Sequence, residues 1–212
     1  MKKYLLVLIP ALFLIACGAE EQSGSEPSTS PPTENTTTTA ETKVSLSDYF
    51  MPNGSIAKFK GEGNEYATYT LTTKHLYDNY VLTYEDNGGT VVERIYYIQA
   101  DKVSLIAQNG EAYDAKEPSL AELESMQEIE VYLATPLEEG REFNGWKIIS
   151  TNESLKTDVQ PFDDVILIEK TDEQGAITRK YFAKDFGEIK REFIMQEGDE
   201  AFTVTSTLEN VL

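Results

Sequence analysis

The segment Tyr80-Val81-Leu82-Thr83-Tyr84-Glu85, Asp86-Asn87-Gly88-Gly89, Thr90-Val91-Val92-Glu93-Arg94-Ile95-Tyr96-Tyr97-Ile98 reads as two β strands around a turn. Both flanks are rich in β-branched and aromatic residues, which suit a pleated, half-buried surface. Asn87 and Gly88 supply the positive φ angles that a tight hairpin requires. Moving outward, the pattern repeats: Val165 to Lys170, then Asp172-Glu173-Gln174-Gly175, then Ile177 to Ala183. A third hairpin follows, in which Ile189 to Met195 and Phe202 to Leu208 flank Gln196 to Glu200.

Two of these hairpins echo each other about 85 residues apart. Val81-Leu82-Thr83 answers Ile166-Leu167-Ile168, and Arg94-Ile95-Tyr96-Tyr97 answers Arg179-Lys180-Tyr181-Phe182. A duplicated β-meander with halves 54–110 and 128–212 would produce the match, and so would generic strand composition. Between the halves, Pro118-Ser119 begins a short helix that carries Leu120 and Leu123 to Met126. Glu128 to Ala134 then alternates, placing Ile129, Val131 and Leu133 on one side of a strand. The expected fold is mainly β, a β-rich α+β domain over 46–212. It consists of one twisted antiparallel sheet of about nine or ten strands, with one or two short helices.

The N-terminal end has a different character. Met1-Lys2-Lys3 is a basic start, and Tyr4 to Ala16 is an apolar run of 13 residues, too short to span a bilayer and the length of a signal h-region. It ends in Leu14-Ile15-Ala16-Cys17-Gly18, which resembles the lipobox of bacterial lipoproteins, where a small residue precedes the modified Cys. That resemblance implies cleavage between Ala16 and Cys17 and attachment to Cys17 of a diacylglyceryl group, whose two acyl chains are of the palmitate kind. Two chains give stable anchoring where one is marginal. The chemistry suits the residue, because a thiolate is the strong nucleophile that forms a thioether. Residues 17–45 then form a lipidated tether, since Gly18 to Thr42 is Ser, Thr, Pro, Glu and Gly with no aromatic residue and cannot bury enough surface to order itself.

A further resemblance covers Thr135 to Leu208. Pro136-Leu137-Glu138-Glu139-Gly140 with Trp146, Thr157 to Phe162, and Tyr181-Phe182-Ala183 leading to Gly187 resemble a family of small uncharacterised lipoproteins of Gram-positive bacteria. Asp158-Val159-Gln160-Pro161 departs from the Pro-Ala-Gly turn usual there. The resemblance implies a β fold and a place on the outer face of the cytoplasmic membrane, and no activity.

Chemistry is constrained by composition. The net charge of −19 excludes a polyanion partner, so no nucleic acid is expected, and attachment to an anionic membrane must come from the Cys17 lipid. With one His and one Cys the chain offers no Cys/His metal site and no internal disulfide. No nucleophile elbow, phosphate loop or calcium loop is present, so neither enzymatic activity nor a cofactor is expected. His75 lies within a strand pattern, Thr72 to Leu76, as a structural residue.

Three functions are ranked. The first is a non-catalytic extracytoplasmic binding or interaction module. The second is a carrier of an apolar ligand or lipid on a curved sheet, which would resemble carriers of the LolA type, with Trp146, Tyr96, Tyr97, Tyr181 and Phe182 as groove residues. An enzyme comes third. Adjacent aromatics on a strand face opposite sides, so each pair sends one ring to each face. A filled inner face favours the module and an apolar cavity favours the carrier.

Overall fold

The computed structural model describes residues 45–197 and 200–212. The expected signal peptide, Ala16, Cys17 and the tether through residue 44 lie outside the described residues. Twelve strands follow one another: β1 Ile56–Glu62, β2 Tyr69–Leu76, β3 Tyr80–Asp86, β4 Val91–Ile98, β5 Lys102–Asn109, β6 Glu130–Ala134, β7 Glu142–Phe143, β8 Trp146–Lys156, β9 Pro161–Thr171, β10 Ile177–Ala183, β11 Gly187–Glu197 and β12 Glu200–Val211. One α-helix, α1 Leu120–Ser125, and two 3-10 turns, Leu46–Tyr49 and Glu65–Ala67, complete the described residues.

All twelve strands form one antiparallel sheet in the order β6-β5-β4-β3-β2-β1-β12-β11-β10-β9-β8-β7. Two meanders of six strands are therefore joined through β1 and β12, and β6 pairs with β5 at the edge of the first. The strand number exceeds the nine or ten expected. The two-residue β7 is too short for alternation to reveal it.

Register shifts mark β1 against β12, β4 against β5, β5 against β6, β10 against β11 and three places along β8 and β9. Bulges sharpen local twist and bend the strand that carries them, so they curl the sheet until it is nearly a barrel. The two edges, β6 and β7, share no ladder, and side chains bridge the gap instead. Trp146 Nε1 on β8 donates to Glu130 Oε1 on β6 at 2.8 Å, and Lys170 Nζ on β9 reaches the same oxygen at 3.0 Å. Short edge strands covered in this way offer little template for another chain.

The central hairpin forms as its turn residues require. Asn87 Oδ1 accepts from the amides of Gly89 and Thr90, both at 2.9 Å, and Gly88 holds φ at 80°. Ser119 and Glu122 make a capping box at the start of α1, whose Leu123 packs with Leu82, Ile95 and Ile106 on the outer face of β3 to β5. Burying such side chains stabilises by about 1.5–3 kcal/mol each.

Strand β6 departs from the expected alternation. Val131 pairs with Ser104 and Leu133 with Val103, so the intervening Tyr132 is an extra residue and these two neighbours point to opposite faces. Leu133 is buried, whereas Ile129 is 60% exposed.

The hairpin echo is also offset. Asp86 pairs with Val91, whereas Thr171 pairs with Ile177, so the second loop is one residue longer. Arg94, opposite Thr83, therefore corresponds to Lys180, opposite Ile168, and Tyr96 corresponds to Phe182. At the end of β10, Gly187 lies so close to the N-terminal turn that a Cβ would sit 2.9 Å from the Tyr49 carbonyl oxygen. Its φ of 68° further favours glycine there.

Candidate functional site

Strand alternation, reset on β11 by the extra residue Ile189, sends five charged side chains to the inner face of the curled sheet. Glu85 on β3 and Arg94 on β4 come from the first meander, and Lys180 on β10 with Glu188 and Arg191 on β11 come from the second. Arg94 Nη1 donates to Glu85 Oε2 at 2.9 Å, and Arg191 Nη2 lies 3.4 Å from the same oxygen. Arg191 Nε donates to Glu188 Oε1 at 2.6 Å, and Lys180 Nζ lies 3.7 Å from Glu188 Oε2. Three cations thus surround two carboxylates, and the interior of a strongly acidic chain carries a net positive charge.

Aromatic rings enclose this network. Tyr132 donates its hydroxyl to Glu188 Oε2 at 3.3 Å and presents its ring 4.5 Å from Lys180 Nζ. Arg191 lies 5.7 Å from the centre of the Tyr69 ring, a cation–π arrangement strengthened by exclusion of water. Burial pushes the Tyr96 phenol up to about 12 and raises Tyr69 and Tyr132 as well, so all three stay protonated. It also pulls the Lys180 ammonium below its usual range, against the pull of Glu188. Burial alone would raise Glu188, but Arg191 and Lys180 hold its carboxyl below the ordinary value of 4.5. Glu130 is likewise held down, by Lys170 and Trp146 against its burial.

The proposed groove residues divide between the faces. Trp146, Tyr96 and Phe182 point inward and are 5%, 6% and 0% exposed. Tyr132 links two of them, 4.7 Å from Tyr96 and edge-on to Phe182 at 5.3 Å between ring centres. Tyr97 and Tyr181 point outward. Tyr97 stacks on Tyr80 at 4.9 Å beside α1, and Tyr181 donates to Glu192 at 2.9 Å. His75 is half-buried on β2, and its Nε2–H donates to the Met51 carbonyl at 2.8 Å.

Between the ionic network and the N-terminal turn lies a cavity of about 40 Å³, lined by Met51, Tyr69, Arg94, Tyr96, Glu188 and Arg191. Ordinary ligand sites occupy roughly 300–1,000 Å³. The inner face is therefore filled around the network, with aliphatic and aromatic side chains at both flanks and ion pairs at its centre, while a more open pocket of about 280 Å³ reaches Glu85 and Arg191 past Tyr66 and Phe193.

The network was not among the residues singled out in the sequence. Its signal was an ionisable residue at an inward position of a strand, as in Thr83-Tyr84-Glu85 and Arg94-Ile95-Tyr96. Which position is inward follows only once register and bulges are fixed.

The depressed carboxyl of Glu188 predicts an acid limb. A group whose folded pKa lies below its unfolded value contributes stability that is complete above the unfolded value and is lost as pH falls through the folded one. The urea midpoint should hold from neutrality to about pH 5 and fall below about pH 4.5. The Glu188→Gln variant should start lower and show a flatter acid limb. An unchanged slope in that variant would mean that Glu188 does not drive the transition.

No family model matches the chain, and no curated protein matches it in sequence. Among solved structures it is similar to a Bacteroides fragilis protein described as exported and as having a YmcC-like fold. The two are 12% identical with a TM-score of 0.49, over 78% of this chain and 99% of that one. It is also similar to a Parabacteroides distasonis protein described as a lipoprotein, 12% identical with a TM-score of 0.48, over 77% of this chain and 98% of that one. At this distance the likenesses say nothing of ligand or partner.

Proposed function

We propose that this chain is an extracytoplasmic lipoprotein, anchored through Cys17 to the outer face of the cytoplasmic membrane, whose β domain is a non-catalytic binding or interaction module. The observation that carries the second half of this reading is the filled interior. A carrier must lose buried contacts to admit an apolar ligand, and here the cavity enclosed between the network and the N-terminal turn is about 40 Å³. The inward rings that would line a groove pack on one another and on ion pairs instead. Support for the anchor comes from Leu14-Ile15-Ala16-Cys17 after an apolar run of signal length.

Intact-mass spectrometry of the protein purified from membranes in mild detergent tests both halves. The expected species begins at Cys17, carries covalent acyl chains, and holds no further lipid at stoichiometric occupancy. The Cys17→Ser variant should persist as an uncleaved precursor or leave the membrane. A lipid-labelled mature Cys17→Ser protein would refute the anchor, and one non-covalent lipid per chain in the wild type would replace the module reading with the carrier.

A further inference from the structure

Beside the open pocket at the edge of the ionic network, the last hairpin runs on past its neighbours. The β10–β11 ladder ends at Ile177 opposite Ile194, and the β1–β12 ladder ends at Glu62 opposite Thr205. Beyond those points, among the described residues, β11 and β12 pair only with each other. A two-stranded ribbon is marginal by itself in water, yet this one turns an apolar face to solvent. Phe193 opposite Val204 and Met195 opposite Phe202 follow Arg191 opposite Ser206 at alternate positions with no register shift, so all lie on the inward side of the sheet. Phe193, Met195 and Phe202 are 37%, 40% and 42% exposed. Such a row of large apolar side chains held open to water marks an interaction surface.

The pocket of about 280 Å³ lies at the inner end of this row. Its opposite wall is Tyr66 on the Glu65–Ala67 turn, which is tied to β12 where Ser206 Oγ donates to the Ala67 carbonyl at 2.7 Å. Its floor is Arg191, whose side chain is 32% exposed. Nε and Nη2 are engaged by Glu188 and Glu85, whereas Nη1 has no hydrogen-bond partner among the described residues and is not sealed from solvent. The enclosed cavity of about 40 Å³ is shared by many side chains, so an opening of this size on Arg191 is toward the larger pocket. Arg94, Arg191 and Lys180 against Glu85 and Glu188 leave one positive charge in excess at this floor.

We infer that this groove binds the C-terminal end of a partner protein or peptide, with the terminal carboxylate on Arg191 and the last apolar side chains along Tyr66, Phe193 and Phe202. The inference deepens the reading of the domain as an interaction module and rests on it. One carboxylate neutralises the excess charge and is the partner that a guanidinium holds best. From Arg191 to Met195 the track runs roughly 13 Å, the length of about four extended residues. An alkyl chain on so open a track keeps much of its apolar surface in water, whereas a peptide leaves its backbone solvated and buries side chains alone. The sequence closing the hairpin, Glu197-Gly198-Asp199-Glu200, carries three acids, which suit a basic residue upstream of the apolar end and oppose an anionic membrane. The chain's own tether is a poor occupant, since Gly18 to Thr42 has no aromatic residue and no Leu, Ile, Val or Met.

The test titrates the mature protein with N-acetyl-Lys-Leu-Leu bearing a free C-terminal carboxylate, followed by amide chemical shifts. Tyr66, Arg191, Phe193 and Val204 signals should move saturably, and the C-terminal amide of the same peptide should bind at least about tenfold more weakly, the worth of one charge-assisted hydrogen bond. Phe193→Ser and Tyr66→Ala change exposed side chains, should keep the urea midpoint near that of the wild type, and should each weaken binding severalfold. No saturable shift with the acid, equal binding of the amide, or undiminished binding in both variants would overturn the proposal. Tighter binding of decanoate than of the peptide would assign the groove to a lipid, and a dimer that Phe193→Ser dissociates would assign it to a second copy; either result overturns it as well. The Trp146 signal should stay still throughout. A shift there counts against the packed interior, so the two readings fail separately.

Discussion

Arg191→Met should destabilise the domain by about 3–5 kcal/mol, the cost of removing one partner from a buried ion pair. Arg191 is the residue that joins the two carboxylates of the network, through Nε to Glu188 and through Nη2 to Glu85. Its loss leaves Glu188 with the Tyr132 hydroxyl at 3.3 Å and the longer Lys180 contact of 3.7 Å, and Glu85 with Arg94 alone. Because β3 and β11 belong to different meanders, the substitution also removes a link between the two halves of the sheet. Urea unfolding of the mature protein, followed by the emission of its single Trp, measures the effect. Adding Glu188→Gln to Arg191→Met should recover part of the loss, since the orphaned charge is then gone. A cost below about 1 kcal/mol, the range of exposed pairs, would mean that water reaches the network.

Phe182→Ala carries the second large effect. The ring is fully buried among Trp146, Ile148, Ile166 and Ile168 and meets Tyr132 edge-on, so the truncation should cost about 3–5 kcal/mol. Its neighbour provides the control, because Tyr181 faces outward. Tyr181→Ala gives up a hydrogen bond to Glu192 and a contact with Lys190 and should cost about 1 kcal/mol. Equal effects at the two positions would contradict the assignment of faces on β10.

Particular residues show how much of this was legible in the sequence. The central hairpin could be read directly, since Asn87 and Gly88 specify the turn and alternation specifies the strands on each side. The helix start at Ser119 was legible for the same local reason, a cap residue three positions before Glu122. Features that depend on pairing were hidden. The echo matched Arg94 to Arg179, but the longer loop after Thr171 moves the structural counterpart to Lys180. Tyr132 gave no signal as a core residue, because it is the extra residue of a bulge and breaks the alternation that its neighbours set up. A single residue inserted in a strand reverses the side to which everything beyond it points. For the candidate site, alternation established that each aromatic pair straddles the sheet. It left open which member faces inward, and it gave no hint that the inward rings surround ion pairs instead of a groove.

The central claim, that the inner face is a packed core, is tested most directly by titrating the mature protein with an apolar fluorescent probe while following Trp146 emission. Trp146 is 5% exposed, hydrogen-bonded to Glu130 and within 5.0 Å of the Lys180 ammonium, so it reports on the interior where a ligand would enter. The emission maximum and intensity should stay unchanged across the titration, with and without the tether. A saturable shift or quenching of Trp146 would contradict the packed core and establish an open, ligand-accepting interior.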